Sequence, residues 1–307
     1  MMYFLLIAGF VLLIKGADFF VDGSSAVAKK LKVSPLIIGM TIVAMGTSLP
    51  ETSVSVSASL AGKNELSISN AVGSNIFNLM IVAGLCALFN KLPVSDVSLK
   101  RDFPASIAAA LVLVGIGGLT GGIPRYGGII LLILFAGFLW LMISSALRAR
   151  EEAAEEYKDI ANWKCALFIL GGIAAIAAGG KMVVEGASDI ARSFGMSDNL
   201  IGMTIVALGT SLPELVTSVV AARKNETDMA LGNVIGSNIF NILFVLGIAA
   251  ALSPMGFSLE NTIDTAFLIG VSLMVMAFCL PKKQLERWHG AVMVIIYSGY
   301  TAYLFMR

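Results

Sequence analysis

Residues 38–85 align with residues 201–248 at a constant offset of 163, without a gap, and 25 of the 48 positions are identical. The cores are GMTIVAMGTSLPE (39–51) with GMTIVALGTSLPE (202–214), and NAVGSNIFN (70–78) with NVIGSNIFN (233–241). Generic hydrophobic similarity does not place two such polar motifs twice at one spacing, so the chain is an internal duplication. Any fold must bury two copies of one unit against each other.

The kind of unit follows from the segments around the copies. Charged or Pro/Gly-rich breaks leave ten apolar stretches, near 2–28, 34–61, 66–90, 102–120, 123–148, 163–191, 198–222, 228–252, 261–280 and 288–306. Each has about the 20 residues that a helix needs to cross a bilayer. Only 13% of residues are charged and mean hydropathy is +0.88, against about 25% charged in a soluble domain. Soluble enzymes, nucleic-acid binders and disordered proteins are excluded. The expected fold is an all-α membrane protein with ten transmembrane helices. Lys15, Asp18 and Asp22 interrupt the first stretch and no small-residue cleavage site follows a positive n-region, so it reads as a mature helix.

Five helices, an odd number, separate the two copies, so the halves lie in opposite orientations. The division is 1–148 for the first five-helix half, 149–162 for a linker and 163–307 for the second half. Alternate loops hold fifteen Lys and Arg residues, among them Lys29, Lys30, Lys32, Arg223 and Lys224, whereas the opposite loops hold four: Lys63, Arg125, Arg192 and Arg307. Because basic loops favour the cytoplasm, both termini are expected outside and the linker inside. The acidic run EEAAEEYKD (151–159) reads as a soluble helical connector or as a cytoplasmic cation-sensing element.

Other chemistry is sparse. Formal net charge is +1, with no basic block for nucleic acid. Cys86, Cys165 and Cys279 lack metal or disulfide spacing and read as buried inert thiols, and His289 reads as interfacial. One histidine and few thiols disfavour transition metals, which want imidazole or sulfur. No nucleophile–base pair, phosphate loop or cofactor fingerprint marks an enzyme, and no cofactor is expected.

The duplicated motifs carry the function. Each GTSLPE lies mid-segment, where Pro50 and Pro213 cannot donate the helical hydrogen bond. An interrupted helix at bilayer depth is tolerated only in a cavity or inside protein, which predicts breaks in helices 2 and 7. Ser48-x-x-Glu51 and Ser211-x-x-Glu214 read structurally as capping boxes that restart a half-helix. Read functionally, Glu51 and Glu214 are intramembrane acids, costly unless used. Around a pseudo-twofold axis they would give two negative charges. Thr47, Ser48, Thr210 and Ser211 would add hydroxyls, and the broken helices would add carbonyls at Ala44 and Ala207. Such an oxygen cage suits hard cations such as Ca²⁺ or Na⁺. Ser74 and Asn78 lie four residues apart on one helical face, as do Ser237 and Asn241, and serve either as further ligands or in helix–helix hydrogen bonds. Asn75 and Asn238 read as structural. Asp18, Asp22, Lys181 and Glu185 pair locally or line an access path. Inverted repeats with interrupted helices point to a secondary transporter with a midplane site.

These paired motifs resemble the repeats of the cation/Ca²⁺ exchanger superfamily, specifically its short prokaryotic sodium/calcium exchangers, over nearly the whole chain. The resemblance implies a Na⁺-driven Ca²⁺ antiporter of the prokaryotic plasma membrane, working by alternating access with three Na⁺ per Ca²⁺. It implies metal ligation by Glu51, Glu214, Thr47, Ser48, Thr210, Ser211, Ala44, Ala207, Ser74, Asn78, Ser237 and Asn241, with segments one and six sliding across the core. One departure matters: well-known members place Asp where this chain has Asn241. The alternative is exchange of Ca²⁺ or another divalent ion for H⁺.

Overall fold

The computed structural model describes residues 2–62, 64–152, 162–197 and 201–306. Each of the ten apolar stretches is helical over its described residues. They are α1 (Met2–Leu31), the broken pair α2 (Pro35–Thr47) and α3 (Leu49–Leu60), α4 (Leu66–Phe89), α5 (Ser98–Thr120), α6 (Arg125–Leu147), α7 (Asn162–Ser193), the broken pair α8 (202–209) and α9 (Leu212–Arg223), α10 (Thr227–Leu252), α11 (Leu259–Cys279) and α12 (Arg287–Met306). Among the described residues eight helices are long and apolar enough to span a membrane alone, and α2–α3 makes a ninth across a bend of 48°. Residues 153–161, most of the acidic 151–159 run, lie outside the described residues.

The duplication is written into the backbone. Wide π-helical turns occupy 39–43 and 78–82 in the first half and 202–206 and 241–245 in the second, each pair 163 residues apart. Two-residue strands tie the halves together at opposite ends of α5. Here β1 (Leu92–Pro93) pairs with β4 (Gln284–Leu285), and β2 (Gly122–Ile123) with β3 (Met255–Gly256). The same offset carries β1 onto β3.

α1 and α7 pack antiparallel through glycines spaced by seven, Gly9, Gly16 and Gly23 against Gly172, Gly179 and Gly186. A Cβ at Gly179 would come within 2.6 Å of the Leu13 nitrogen, so the backbones touch with no side chain between. These glycines also obey the 163 offset, which extends the repeat beyond 38–85. Lys224 fastens this pair to the core, 2.6 Å from the Asp18 carboxylate and 2.7 Å from that of Asp22. Their counterparts Lys181 and Glu185 pair with each other, at 3.8 Å.

The basic loops gather at one end. Lys30 donates to Asn162, Asn90 donates to the Ala222 carbonyl at 2.6 Å, and Lys283 pairs with Asp96 at 2.8 Å. There Lys282, Trp288 and Gln284 donate to Glu286, and the lysine above all holds its carboxyl down to about 2. The three cysteines are buried free thiols. His289 is buried at the start of the last helix: its Nδ1 accepts the Glu286 N–H at 3.0 Å, capping its own helix, and its ring stacks on Phe278.

Candidate cation site

Two helix breaks and two central helices meet at the middle of the bundle. α2 ends at Thr47 and α3 restarts at Leu49; α8 ends at Gly209 and α9 restarts at Leu212. In each case the proline follows at the second position of the new helix, where a missing N–H costs nothing. Glu51 and Glu214 therefore sit in the first turn of α3 and α9, fully buried. The positive end of each helix dipole faces the carboxylate of its own first turn.

The capping-box reading fails on geometry. Neither Ser48 nor Ser211 caps its own helix with its side chain. Each hydroxyl instead crosses to the other half: Ser48 Oγ donates to Glu214 Oε1 at 2.8 Å, and Ser211 Oγ to Glu51 Oε1 at 3.2 Å. Ser74 completes the Glu51 side, with its Oγ 3.4 Å from Glu51 Oε1 and 3.0 Å from Ser211 Oγ. The two breaks thus exchange hydrogen bonds around the pseudo-twofold axis.

One oxygen of each carboxylate is thereby used, and the other is not. Glu51 Oε2 and Glu214 Oε2 are buried without a hydrogen-bond partner, as are Ser237 Oγ, Asn241 Oδ1 and both polar side-chain atoms of Asn78. Buried polar atoms in folded proteins are normally satisfied, so a cluster of unmet oxygens asks for a ligand. No lysine or arginine pairs with either glutamate among the described residues. Among those residues no three His, Cys, Asp and Glu side chains cluster. The donors on offer are carboxylate, hydroxyl and amide oxygens.

Asn75 and Asn238 act as struts. Asn75 Nδ2 donates to the Asn238 carbonyl at 2.9 Å and Asn238 Nδ2 to the Asn75 carbonyl at 3.3 Å, clamping α4 to α10. Asn241 leans on the same strut, donating to Asn75 Oδ1 at 3.1 Å.

Three expected ligand positions differ from a free oxygen. The Ala44 carbonyl is not released by the break, because it accepts the Ser48 N–H at 3.0 Å. Ala207 is exposed, and its carbonyl accepts Thr210 Oγ1 at 3.3 Å. Thr210 is half-buried, whereas Thr47, Ser48 and Ser211 are buried. For the two alanines the physical reason is that the N–H a proline lacks would have bonded the carbonyl four residues before it, which belongs to Gly46 or Gly209 and not to Ala44 or Ala207.

Two residues that motif reading passed over brace the acids. Asn70 Nδ2 donates to Ser55 Oγ at 3.1 Å and to the Glu51 carbonyl at 3.3 Å. Asn233 Nδ2 does the same to Ser218 Oγ at 2.9 Å and to the Glu214 carbonyl at 3.5 Å. Identity of Asn70 with Asn233 and Ser55 with Ser218 across the repeat was the available signal.

Known proteins share this architecture. The profile of the family described as sodium/calcium exchanger protein matches residues 1–144 and 164–306. A protein of Alkalimonas amylolytica named CaxA is 39% identical, over 97% of this chain and 97% of its own. The sodium/calcium exchanger MaX1 of Methanosarcina acetivorans is 32% identical, over 99% and 98%. A solved structure of the sodium-calcium exchanger NCX_Mj superposes with a TM-score of 0.87 at 32% identity, covering 98% of both chains. These neighbours are exchangers, not enzymes. With its duplicated halves, membrane-spanning helices and matched length, the chain is an integral membrane protein that belongs to the sodium/calcium exchanger family.

Proposed function

We propose that the protein is a Na⁺/Ca²⁺ antiporter working by alternating access, with three Na⁺ exchanged per Ca²⁺, and that Glu51 and Glu214 are its acidic ligands. The single observation that carries the reading is the pair of fully buried carboxylates, each with one oxygen unmet, on helices whose packing also buries unmet oxygens of Ser237, Asn78 and Asn241. Hard cations are held by such oxygens at about 2.3–2.6 Å. Ser48, Ser74, Thr47 and Ser211 complete the wall, whereas Thr210, Ala44 and Ala207 join it through a rearrangement of α8 or a shared carbonyl. The charge ledger of the loops supports both termini outside, in the plasma membrane of a prokaryote.

The experiment is Ca²⁺ flux in everted membrane vesicles, driven by a Na⁺ gradient or by a pH gradient with a protonophore control. Expected is flux that follows the Na⁺ gradient and saturates with Ca²⁺. Flux that follows only the pH gradient overturns the Na⁺ coupling in favour of H⁺.

Potassium is expected to be dispensable. The cluster holds two carboxylates, and with Asn78 and Asn241 both neutral there is no third acid to bind K⁺ in addition to the exchanged Na⁺ and Ca²⁺. Replacing all K⁺ with choline should leave Na⁺-driven flux within experimental error; a collapse of flux contradicts this.

A further inference from the structure

The halves are copies, yet they are not docked alike. α2 lies directly on α10: a Cβ at Gly39 would come within 2.5 Å of the Met229 carbonyl oxygen, and one at Gly236 within 2.5 Å of Met40 Cα. The related contact would place α8 on α4 around Gly73, the counterpart of Gly236. A Cβ at Gly73 meets nothing within 4 Å among the described residues. Ala44 is buried and its counterpart Ala207 exposed; Thr47 is fully buried and its counterpart Thr210 only half so. Over the described residues, one half-helix is docked on the opposite half and its twin is not.

The same asymmetry reaches one hydrogen bond. Thr47 Oγ1 lies 3.1 Å from Asn233 Oδ1, a bond between the halves. The hydroxyl also reaches the carbonyls of Val43 at 3.1 Å and Ala44 at 3.3 Å, but only the bond across the halves gives the buried Asn233 oxygen its donor. In the other half Thr210 Oγ1 turns back to Ala207, and Asn70 Oδ1 receives nothing from it. Both asparagines meanwhile brace their glutamates identically through Nδ2.

We infer that Thr47–Asn233 and Thr210–Asn70 are paired latches, one for each entrance. Each latch joins the broken helix of one half to the asparagine that braces the glutamate of the other. Asn70 and Asn233 are positioning residues: one end of the amide holds the glutamate's backbone, and the other end registers whether the opposing half-helix is docked. An amide anchored at Nδ2 presents its oxygen in a fixed direction, and a buried acceptor left without a donor is penalised. The bond therefore favours docking on whichever side makes it. Because the two pairs are related by the inverted repeat, docking the undocked half-helix makes the second bond by the geometry that makes the first. The purpose of the latch rests on the exchange reading, but its existence does not.

Hydrogen–deuterium exchange of the full chain in detergent, first without Na⁺ or Ca²⁺, tests it. Wild-type protein should protect 36–47 more than 204–210. Thr47→Val, which keeps the shape and removes the hydroxyl, should speed exchange in 36–47 about fivefold, the loss of one buried hydrogen bond. The effect should stay out of α5, α6, α11 and α12, Thr47→Ser should restore protection, and Thr210→Val should change nothing in the ion-free protein. Unchanged exchange in Thr47→Val, or an increase spread evenly through the bundle, overturns the latch. Added Na⁺ or Ca²⁺ should then slow 204–210 in the wild type and fail to do so in Thr210→Val. A wild type indifferent to both ions counts against the exchange reading alone, since the ion-free comparison still decides the latch.

Discussion

Glutamine at position 51 or 214 is expected to lower Na⁺-driven Ca²⁺ flux by a factor on the order of 100 or more, while the purified protein still melts cooperatively. The size follows from the charge removed. At about 2.4 Å and an effective dielectric of about 20, a divalent ion gains roughly 14 kcal/mol from one carboxylate before desolvation is counted. A net loss of only a fifth of that is already about 100-fold in affinity. Folding should survive because the substitution is isosteric and neutral. The amide oxygen can still accept from Ser211 or Ser48, and removing an uncompensated buried charge does not destabilise the empty protein. The two effects separate in one thermal melt. Without ions each variant should match or exceed the wild type. With Ca²⁺ at about 100 times the wild-type Kd, the wild type should gain about 2.7 kcal/mol and the variants nothing. Normal flux in both single variants would refute the ligand assignment.

The second large effect concerns charge movement. With Asn78 and Asn241 neutral and both glutamates ionised, the empty site carries −2, and one Ca²⁺ or two Na⁺ bring it to zero. A third Na⁺ has no third carboxylate to meet, but the free oxygens of Ser237, Asn78 and Asn241 are buried and uncommitted, which is what such an ion requires. Exchange at 3:1 then moves one net charge per cycle. A potential of 100 mV acting on that charge is worth about 2.3 kcal/mol, roughly fifty-fold in the attainable Ca²⁺ gradient. In Na⁺-loaded proteoliposomes with the potential clamped by valinomycin and K⁺, Ca²⁺ uptake exports positive charge. An inside-positive potential should therefore accelerate uptake and an inside-negative one slow it. Uptake indifferent to voltage means 2:1 coupling, with neither the Asn pair nor Ser237 holding a third ion.

Much of the molecule was legible before any coordinate. Hydropathy located all ten helices because in a bilayer the backbone has few other ways to satisfy its hydrogen bonds. The offset of 163 and an odd helix count implied the inverted halves, which the matched π turns and the cross-half strand pairs express in the backbone. Motif reading also singled out Glu51, Glu214, Ser48, Ser74 and Ser211, which the structure joins by hydrogen bonds. It missed the extension of the repeat into α1 and α7, because only six scattered identities, three of them glycines, carry it, and it passed over Asn70 and Asn233. A side chain that works through another residue's carbonyl leaves no local pattern.

The sequence by itself determined which residues are duplicated, how many helices carry them and where the breaks must fall. These depend on local chemistry: hydrocarbon length, the missing proline N–H and the cost of a buried charge. Only the tertiary structure decided where the hydroxyls of Ser48 and Ser211 go, because a Ser-x-x-Glu spacing serves a cap and a cross-half bond equally well. It alone also decided which of two equivalent dockings is made. A repeated sequence encodes both the α2–α10 contact and its α4–α8 counterpart, and two such contacts at opposite entrances need not be made together. Thr47 on Asn233, with Thr210 turned back on its own helix, is that choice.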